Sequence, residues 1–196
     1  MEKSKAKDPE KNGGGTMAVG CLETSSVTSG IRAADAMCKA AAVKLLSSGP
    51  ICPGKYLIII GGAVAEVNSA VEAGRRSAAD TLIDEIVVPN IHPQVLKAFT
   101  ATTLPEEVAA IGMIETFSLA SSIIAGDQAV KSARVDLLEI RLGRALGGKG
   151  YVLLTGEVAA VEAAIKAAVM VARQQGLLLG TTVIPAPHPD LVASLM

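Results

Sequence analysis

The 196-residue chain is written twice, and this duplication constrains its fold more than any single motif. Residues 18–46, AVGCLETSSVTSGIRAADAMCKAAAVKLL, align without a gap to residues 110–138, AIGMIETFSLASSIIAGDQAVKSARVDLL, with 14 of 29 positions identical. Roughly two identities would be expected by chance in chains of ordinary composition. The match resumes with GKYLIIIGGAVAEVNSAV (54–71) against GKGYVLLTGEVAAVEAAI (148–165), after a loop two residues longer in the second copy. It closes with VVPNIHPQVLKAF (87–99) against VIPAPHPDLVASL (183–195). The boundaries follow: a first unit over 17–99, a linker over 100–109 (TATTLPEEVA) and a second unit over 110–196. Each unit has about 85 residues, near the small end of the range for independent domains. Residues 1–16, MEKSKAKDPEKNGGGT, mix four lysines with three acids and end in three glycines, so they read as a disordered extension.

Both copies predict the same elements. A short strand carries Gly-x-x-Glu-Thr (Gly20, Glu23, Thr24; Gly112, Glu115, Thr116) and leads into an Ala-rich helix with Ile31, Ala34, Met37, Cys38 and Ala41 at helical spacing. A strand around Val43–Leu46 runs into a Gly/Pro loop, and the apolar run after the loop is a second strand. An amphipathic helix follows, with Val64, Val67 and Val71 matched by Val158, Val161 and Ile165. A strand ending at Pro89 or Pro185 and a short helix after His-Pro complete the unit, with His92 and His188 placed to cap that helix. The fold class is α+β, in two tandem repeats.

Composition removes several functions. A formal net charge of −1 argues against a nucleic-acid binder working through a large basic field. The aromatic residues are Phe99, Phe117, Tyr56 and Tyr151, with no Trp, which leaves few platforms for stacking bases or sugars. No apolar run is long enough to span a membrane, and the charged N-terminus lacks the apolar stretch of a signal peptide. No nucleophile–base pair, Walker loop or pair of acids at a catalytic spacing appears, so no enzyme is expected. GGKG at 147–150 lacks the Ser or Thr and the first glycine of a phosphate loop.

The cysteines carry the chemistry that remains. Cys21, Cys38 and Cys52 are odd in number and form no C-x-x-C pair, in keeping with a reducing compartment. Cys21 matches Met113, and Cys38 matches Val130, so both read as core side chains. Cys52 differs. In GPICPGKY (49–56) it stands at the tip of a Gly/Pro loop, as a passive side chain, a nucleophile or one ligand of a metal site. One Cys rarely holds a metal alone, so the last reading needs ligands from elsewhere.

The two AxGxxET starts, the Asp-x-x-x-Lys of the first helix (DAMCK, 35–39; DQAVK, 127–131), the Gly-Lys loop and the closing P-x-x-H occur in order, twice. In this the chain resembles the bacterial microcompartment shell proteins, in their tandem-domain, trimer-forming class. Ile-Cys before PGK is similar to the iron–sulfur members of that class in propanediol-utilisation compartments. The resemblance implies a homotrimer whose six domains form a flat tile in a microcompartment shell within the cytoplasm. It implies an axial pore lined by Ile51, Cys52, Pro53 and Gly54 from one copy and Leu146, Gly147 and Gly148 from the other. Threefold symmetry would bring three Cys52 thiolates together as the metal ligands of one 4Fe-4S cluster per trimer, the fourth iron taking a non-Cys ligand. It also implies Lys39 and Lys131 at the tile edge, with other shell proteins and an encapsulated oxidoreductase as partners. The family often carries an arginine two places before the histidine. Asn90 and Ala186 stand there, so that arginine's edge contact does not carry over. Arg141 and Arg144 have no counterpart in the first copy and read as rim charges near the pore or as surface residues. Two other readings stand beside the electron-transfer one: a metabolite pore without a cluster, and a tandem-domain regulator that binds a small molecule.

Overall fold

The computed structural model describes residues 17–103, 105, 107–143 and 146–195; the extension at 1–16 and Arg144 lie outside the described residues. The first unit runs β1 (Met17–Thr24), α1 (Val27–Ala40), β2 (Lys44–Ile51), β3 (Lys55–Ala63), α2 (Val64–Ala78), β4 (Leu82–Val88) and α3 (Pro93–Ala98). The second repeats it as β5 (Ala110–Thr116), α4 (Leu119–Ser132), β6 (Asp136–Leu142), β7 (Gly150–Gly156), α5 (Val158–Gln174), β8 (Leu178–Pro185) and α6 (Pro189–Leu195). Each unit is a four-stranded antiparallel sheet, ordered β2-β3-β1-β4 and β6-β7-β5-β8. β2 extends well past Leu46, because its pairing with β3 continues to Ile51 opposite Lys55 and leaves a loop of only Cys52, Pro53 and Gly54.

The signature Thr and the serine two places after it shape the turn from first strand to first helix. The Thr24 and Thr116 hydroxyls donate to the carbonyls of Ser26 and Ser118, at 2.9 and 2.7 Å. Those serines cap α1 and α4 by accepting from the amides of Ser29 and Ser121. The histidines cap as expected: Nδ1 of His92 and of His188 accepts from the amides of Gln94 and Asp190, at 3.3 and 3.2 Å. The duplication reaches the backbone. Asn90 and Ala186 both take left-handed conformations, with φ of 52° and 42°.

One face of each sheet is covered by its own helices. In the first unit Leu22, Ile58 and Ile60 pack with Ala33, Met37, Val67 and Val71. The opposite face of that sheet does not end in solvent. Val19, Cys21, Leu57 and Ile59, with Val95 and Ala98 of α3, join a core that includes Leu119 and Ile123 of α4 and Leu137 and Ile140 of β6. The units therefore share a hydrophobic core across their junction. Cys21 is buried in it, as expected. Cys38 is not a core residue: it is exposed, as is Ile31, because the buried stripe of α1 runs through Gly30, Ala33, Ala34 and Met37 and both side chains fall outside it.

Gly20 explains the glycine of the signature. A Cβ there would lie 2.7 Å from Val71 Cγ2 and 2.8 Å from Val67 Cγ1 of α2, side chains that are stiff because they branch at Cβ. Gly112 meets Val161 in the same way. We expect Gly20→Val to overpack this contact and cost about 1–3 kcal/mol in urea unfolding. An unchanged midpoint would mean that α2 can slide away freely.

Candidate functional site

The two loops singled out in the sequence meet at one end of the molecule. The Cys52 amide donates to the Gly143 carbonyl at 3.1 Å, and the Ile51 side chain packs on Gly143 and Leu119. Gly148 is buried against the first loop, where a Cβ would lie 3.3 Å from the Cys52 carbonyl oxygen. Both loops need left-handed backbone that glycine supplies: φ is 83° at Gly54, 70° at Gly143, 62° at Gly147 and 86° at Gly148. The Gly54 amide closes the first turn on the Ile51 carbonyl at 3.0 Å, and the Lys149 amide closes the second on Leu146 at 3.2 Å. Cys52 is half-buried, Pro53, Gly54 and Gly147 are exposed, and Leu146 is half-buried.

Beneath the loops lies a pair of contacts that sequence reasoning missed. Lys55 Nζ donates to Glu23 Oε1 at 2.7 Å, and Lys149 Nζ donates to Glu115 Oε1 at 2.9 Å. The acid of Gly-x-x-Glu-Thr and the lysine of the Gly-Lys loop are thus partners across neighbouring strands, once in each copy. The signal was present, since both residues recur in both repeats. The pairs differ in burial. The Glu23 side chain is 7% exposed and the Glu115 side chain 38%.

The chemistry available to one chain is narrow. Among the described residues no group of three or more His, Cys, Asp or Glu side chains is placed to hold a metal ion. Cys21 is unsuited as a ligand or nucleophile, because burial, with the nearby Glu23 and Asp84 carboxylates, pushes its thiol far up. Arg141 is committed locally: its guanidinium pairs with Glu139 at 2.6 Å and lies 5.4 Å from the Tyr151 ring centroid. Burial and a hydrogen bond to Glu139 push the Tyr151 phenol up to about 12, so it stays protonated. Lys39 and Lys131 occupy matched last-turn positions on α1 and α4, paired with Asp35 at 2.6 Å and Asp127 at 2.5 Å. Asp127 is buried and also accepts from the His92 amide at 2.8 Å, whereas Asp35 is exposed. Between the units lies a groove of about 770 Å³, bounded by Leu57, Ile59, Phe99, Ile140, Arg141 and Leu142.

Two antiparallel α+β units joined head to tail, with paired hairpin loops at one end and no catalytic constellation among the described residues, define a tandem-domain scaffold. The chain belongs to the BMC-domain family of bacterial microcompartment shell proteins, the BMC domain matching residues 18–91 and again 110–187. It is similar to the bacterial microcompartment shell protein PduT of Citrobacter freundii, with 41% identity over 176 residues, 90% of this chain and 96% of that one. A crystal structure of a microcompartment protein from Desulfitobacterium hafniense DCB is 49% identical, with a TM-score of 0.87 over 91% of this chain and 99% of that one. The carboxysome assembly protein CcmO of Synechococcus elongatus is 31% identical over 191 residues, 91% of this chain and 68% of that one. Two of these relatives are named as a shell protein and an assembly protein and the third as a microcompartment protein, and this chain is a tandem-domain shell protein. No described helix is long and apolar enough to cross a membrane.

The unequal burial of the two Glu–Lys pairs has a measurable consequence. Glu23→Ala strands a half-buried ammonium and should cost about 1–3 kcal/mol of stability. The same change at Glu115, where water replaces the partner, should cost less than ~1 kcal/mol. Equal shifts in the urea midpoint would show that both pairs behave as surface pairs.

Proposed function

We propose that three chains close head to tail into a six-domain ring, a shell tile whose axis is lined by residues 51–54 and 146–148. The observation that carries this is the unequal burial of matched positions. Ile31 is 55% exposed where Ile123 is fully buried, and Leu45 is 43% exposed where Leu137 is fully buried. Val27 and Leu119 differ in the same sense. On the other face Leu191 of α6 is exposed where Val95 of α3 is buried. The fold of each unit is the same, so the difference is the neighbour: α4 and β6 have the first unit against them, while α1 and β2 have none. The second unit's α6 lacks a neighbour in turn. A second copy of the chain supplies both, in a heterologous contact that repeats the junction inside the chain and closes as a ring. The family's six-domain tile makes that ring a trimer.

We further propose that the trimer carries one 4Fe-4S cluster at its axis, held by three Cys52 thiolates. The donor set fits only in this form: each chain offers one soft thiol at a loop tip and, among the described residues, no local group of further ligands. The second loop presents Leu146, Gly147 and Gly148 beside it, so the fourth iron takes a ligand other than a cysteine of these loops. A cluster there supplies one-electron transfer across the shell, to or from an enclosed oxidoreductase. The chain's own part is to fix the thiol: Ile51 anchors one side of the loop on Gly143 and Leu119, and Lys55 on Glu23 anchors the other.

In light scattering the wild-type chain should be a trimer at micromolar concentration. Anaerobic reconstitution should give about one cluster per trimer. Cys52→Ala should abolish bound iron, sulfide and visible absorbance while the trimer survives; Cys21→Ala and Cys38→Ala should keep all three. A Cys52→Ala trimer that still bound a cluster would sink the site, and a wild-type trimer that took up no iron would leave the metabolite pore.

Tiling supplies a separate expectation. Lys39 and Lys131 stand at matched exposed positions, suited to contacts between tiles and with other shell proteins. Lys39→Ala combined with Lys131→Ala should leave the trimer intact and weaken sheet formation seen by electron microscopy. Unaltered sheets would return both lysines to the solvated surface.

A further inference from the structure

We propose that the junction between chains is specified by an ion pair between Asp190 of one chain and Lys44 of the next, which replaces an amide–carboxylate hydrogen bond at the junction inside the chain. The proposal deepens the ring reading and rests on it. Inside the chain, Gln94 at the start of α3 bridges to the edge strand β6: its Nε2 donates to Asp136 Oδ1 at 3.1 Å, and its Oε1 accepts from the Leu137 amide at 2.8 Å. The side-chain amide is matched group by group, one donor to the acid and one acceptor to the backbone N–H.

The repeat alignment carries this contact to the junction between chains. Gln94 corresponds to Asp190, Asp136 to Lys44, and Leu137 to Leu45. Both partners change together. The donor-and-acceptor amide becomes a carboxylate that only accepts, and the accepting acid becomes an ammonium that only donates. Asp190 would accept from Lys44 with one oxygen and from the Leu45 amide with the other, so the bridge is conserved in form and gains charge. Both groups are available. The Asp190 side chain is 93% exposed with only His188 Nδ1 near it, at 3.5 Å, and Lys44 is exposed with no ion pair among the described residues. Their neighbours Leu191 and Leu45 are the exposed counterparts of the buried Val95 and Leu137. A further contact carries over unchanged in type: the His92 amide on Asp127 becomes the His188 amide on Asp35.

The change also discriminates between partners. If α6 seated on β6, Asp190 would face Asp136, carboxylate against carboxylate. If α3 seated on β2, the Gln94 amide nitrogen would face Lys44, donor against donor. Each wrong pairing leaves a repulsive or unsatisfied contact, so the charges dictate that a second unit is followed by a first unit.

The test uses the full chain and follows trimer dissociation by sedimentation across a dilution series. Lys44→Asp and Asp190→Lys, each alone, should weaken the trimer about tenfold or more, since each sets like charges together. Lys44→Asp with Asp190→Lys should restore part of it, since the charge pair is regained while the Leu45 amide loses its acceptor. Lys44→Asp with Asp190→Gln rebuilds the internal contact and should restore it too, while removing the salt dependence that the wild-type ion pair confers. Circular dichroism distinguishes a failed junction from a failed fold. Wild-type trimers with singles of unchanged affinity, or weakened singles that neither double variant rescues, overturn the ion pair and leave the ring standing. A wild-type chain that stays monomeric removes both.

Discussion

Everything functional in this chain depends on one contact, in which α3, lying over the second face of the first sheet, seats against the helix α4 and edge strand β6 of the other unit. A single unit of this fold covers one sheet face with its two longer helices and lays its short last helix over the other, as where Ile111 and Leu153 are buried with Val192 and Leu195 of α6 packed on them. In the first unit Val19, Cys21, Leu57 and Ile59 pack with Val95 and Ala98 of α3 in a core that continues into α4 and β6. The contact between units is directional: one gives its short last helix, the other a longer helix and an edge strand. It cannot satisfy both units within one chain. Duplication solves the problem once and moves the remainder to the two ends, where Ile31, Leu45 and Leu191 wait for a neighbour. Assembly of the proposed ring would thus continue folding, driven by apolar surface of the same kind.

The same contact aligns the hairpin loops. β2 and β6 are edge strands, and the junction brings their ends together, so the Cys52 amide reaches Gly143 and Gly148 abuts the Cys52 carbonyl. Under each loop a lysine is tied to the acid of the first strand, which holds the base of the hairpin while its glycines take left-handed turns. The thiol at the tip is then carried on backbone fixed from both units.

Much of this was legible in the sequence because the chain compares itself with itself. Position-by-position agreement located the strands, helices and loops, and the recurrence of His-Pro foretold the caps on α3 and α6. Three things were not legible. Cys38 looked like core because it shares the Ala-rich helix with Met37, yet one residue turns the side chain about 100° around the helix, past the edge of the buried stripe. The Glu–Lys pairs escaped because partners on neighbouring strands are distant in sequence, and nothing in helical or strand periodicity links them. Nor does periodicity reveal a face whose partner is another chain: Ile31 and Ile123 are the same residue in the same pattern, and only the neighbour separates 55% exposure from full burial.

Duplication followed by divergence also explains why a thiol occurs on only one of the two loops. A ring of six identical units would present six copies of any loop residue at its axis, and six thiolates in one narrow opening would repel strongly with too few irons to share them. Fusing two copies lowers the symmetry from sixfold to threefold. Cys52 can then be kept on one loop, while the other carries Leu146, Gly147 and Gly148, which bring no charge. In the proposed trimer three thiolates would hold three irons of a cubane cluster, leaving the fourth open to another ligand. In the proposed ring the same reduction in symmetry would let the two kinds of junction differ, an amide–carboxylate bond within the chain at Gln94 and Asp136 and an ion pair between chains at Asp190 and Lys44. One duplication thus separates the order of the ring from the chemistry of its axis, and each can change without disturbing the apolar contact that both depend on.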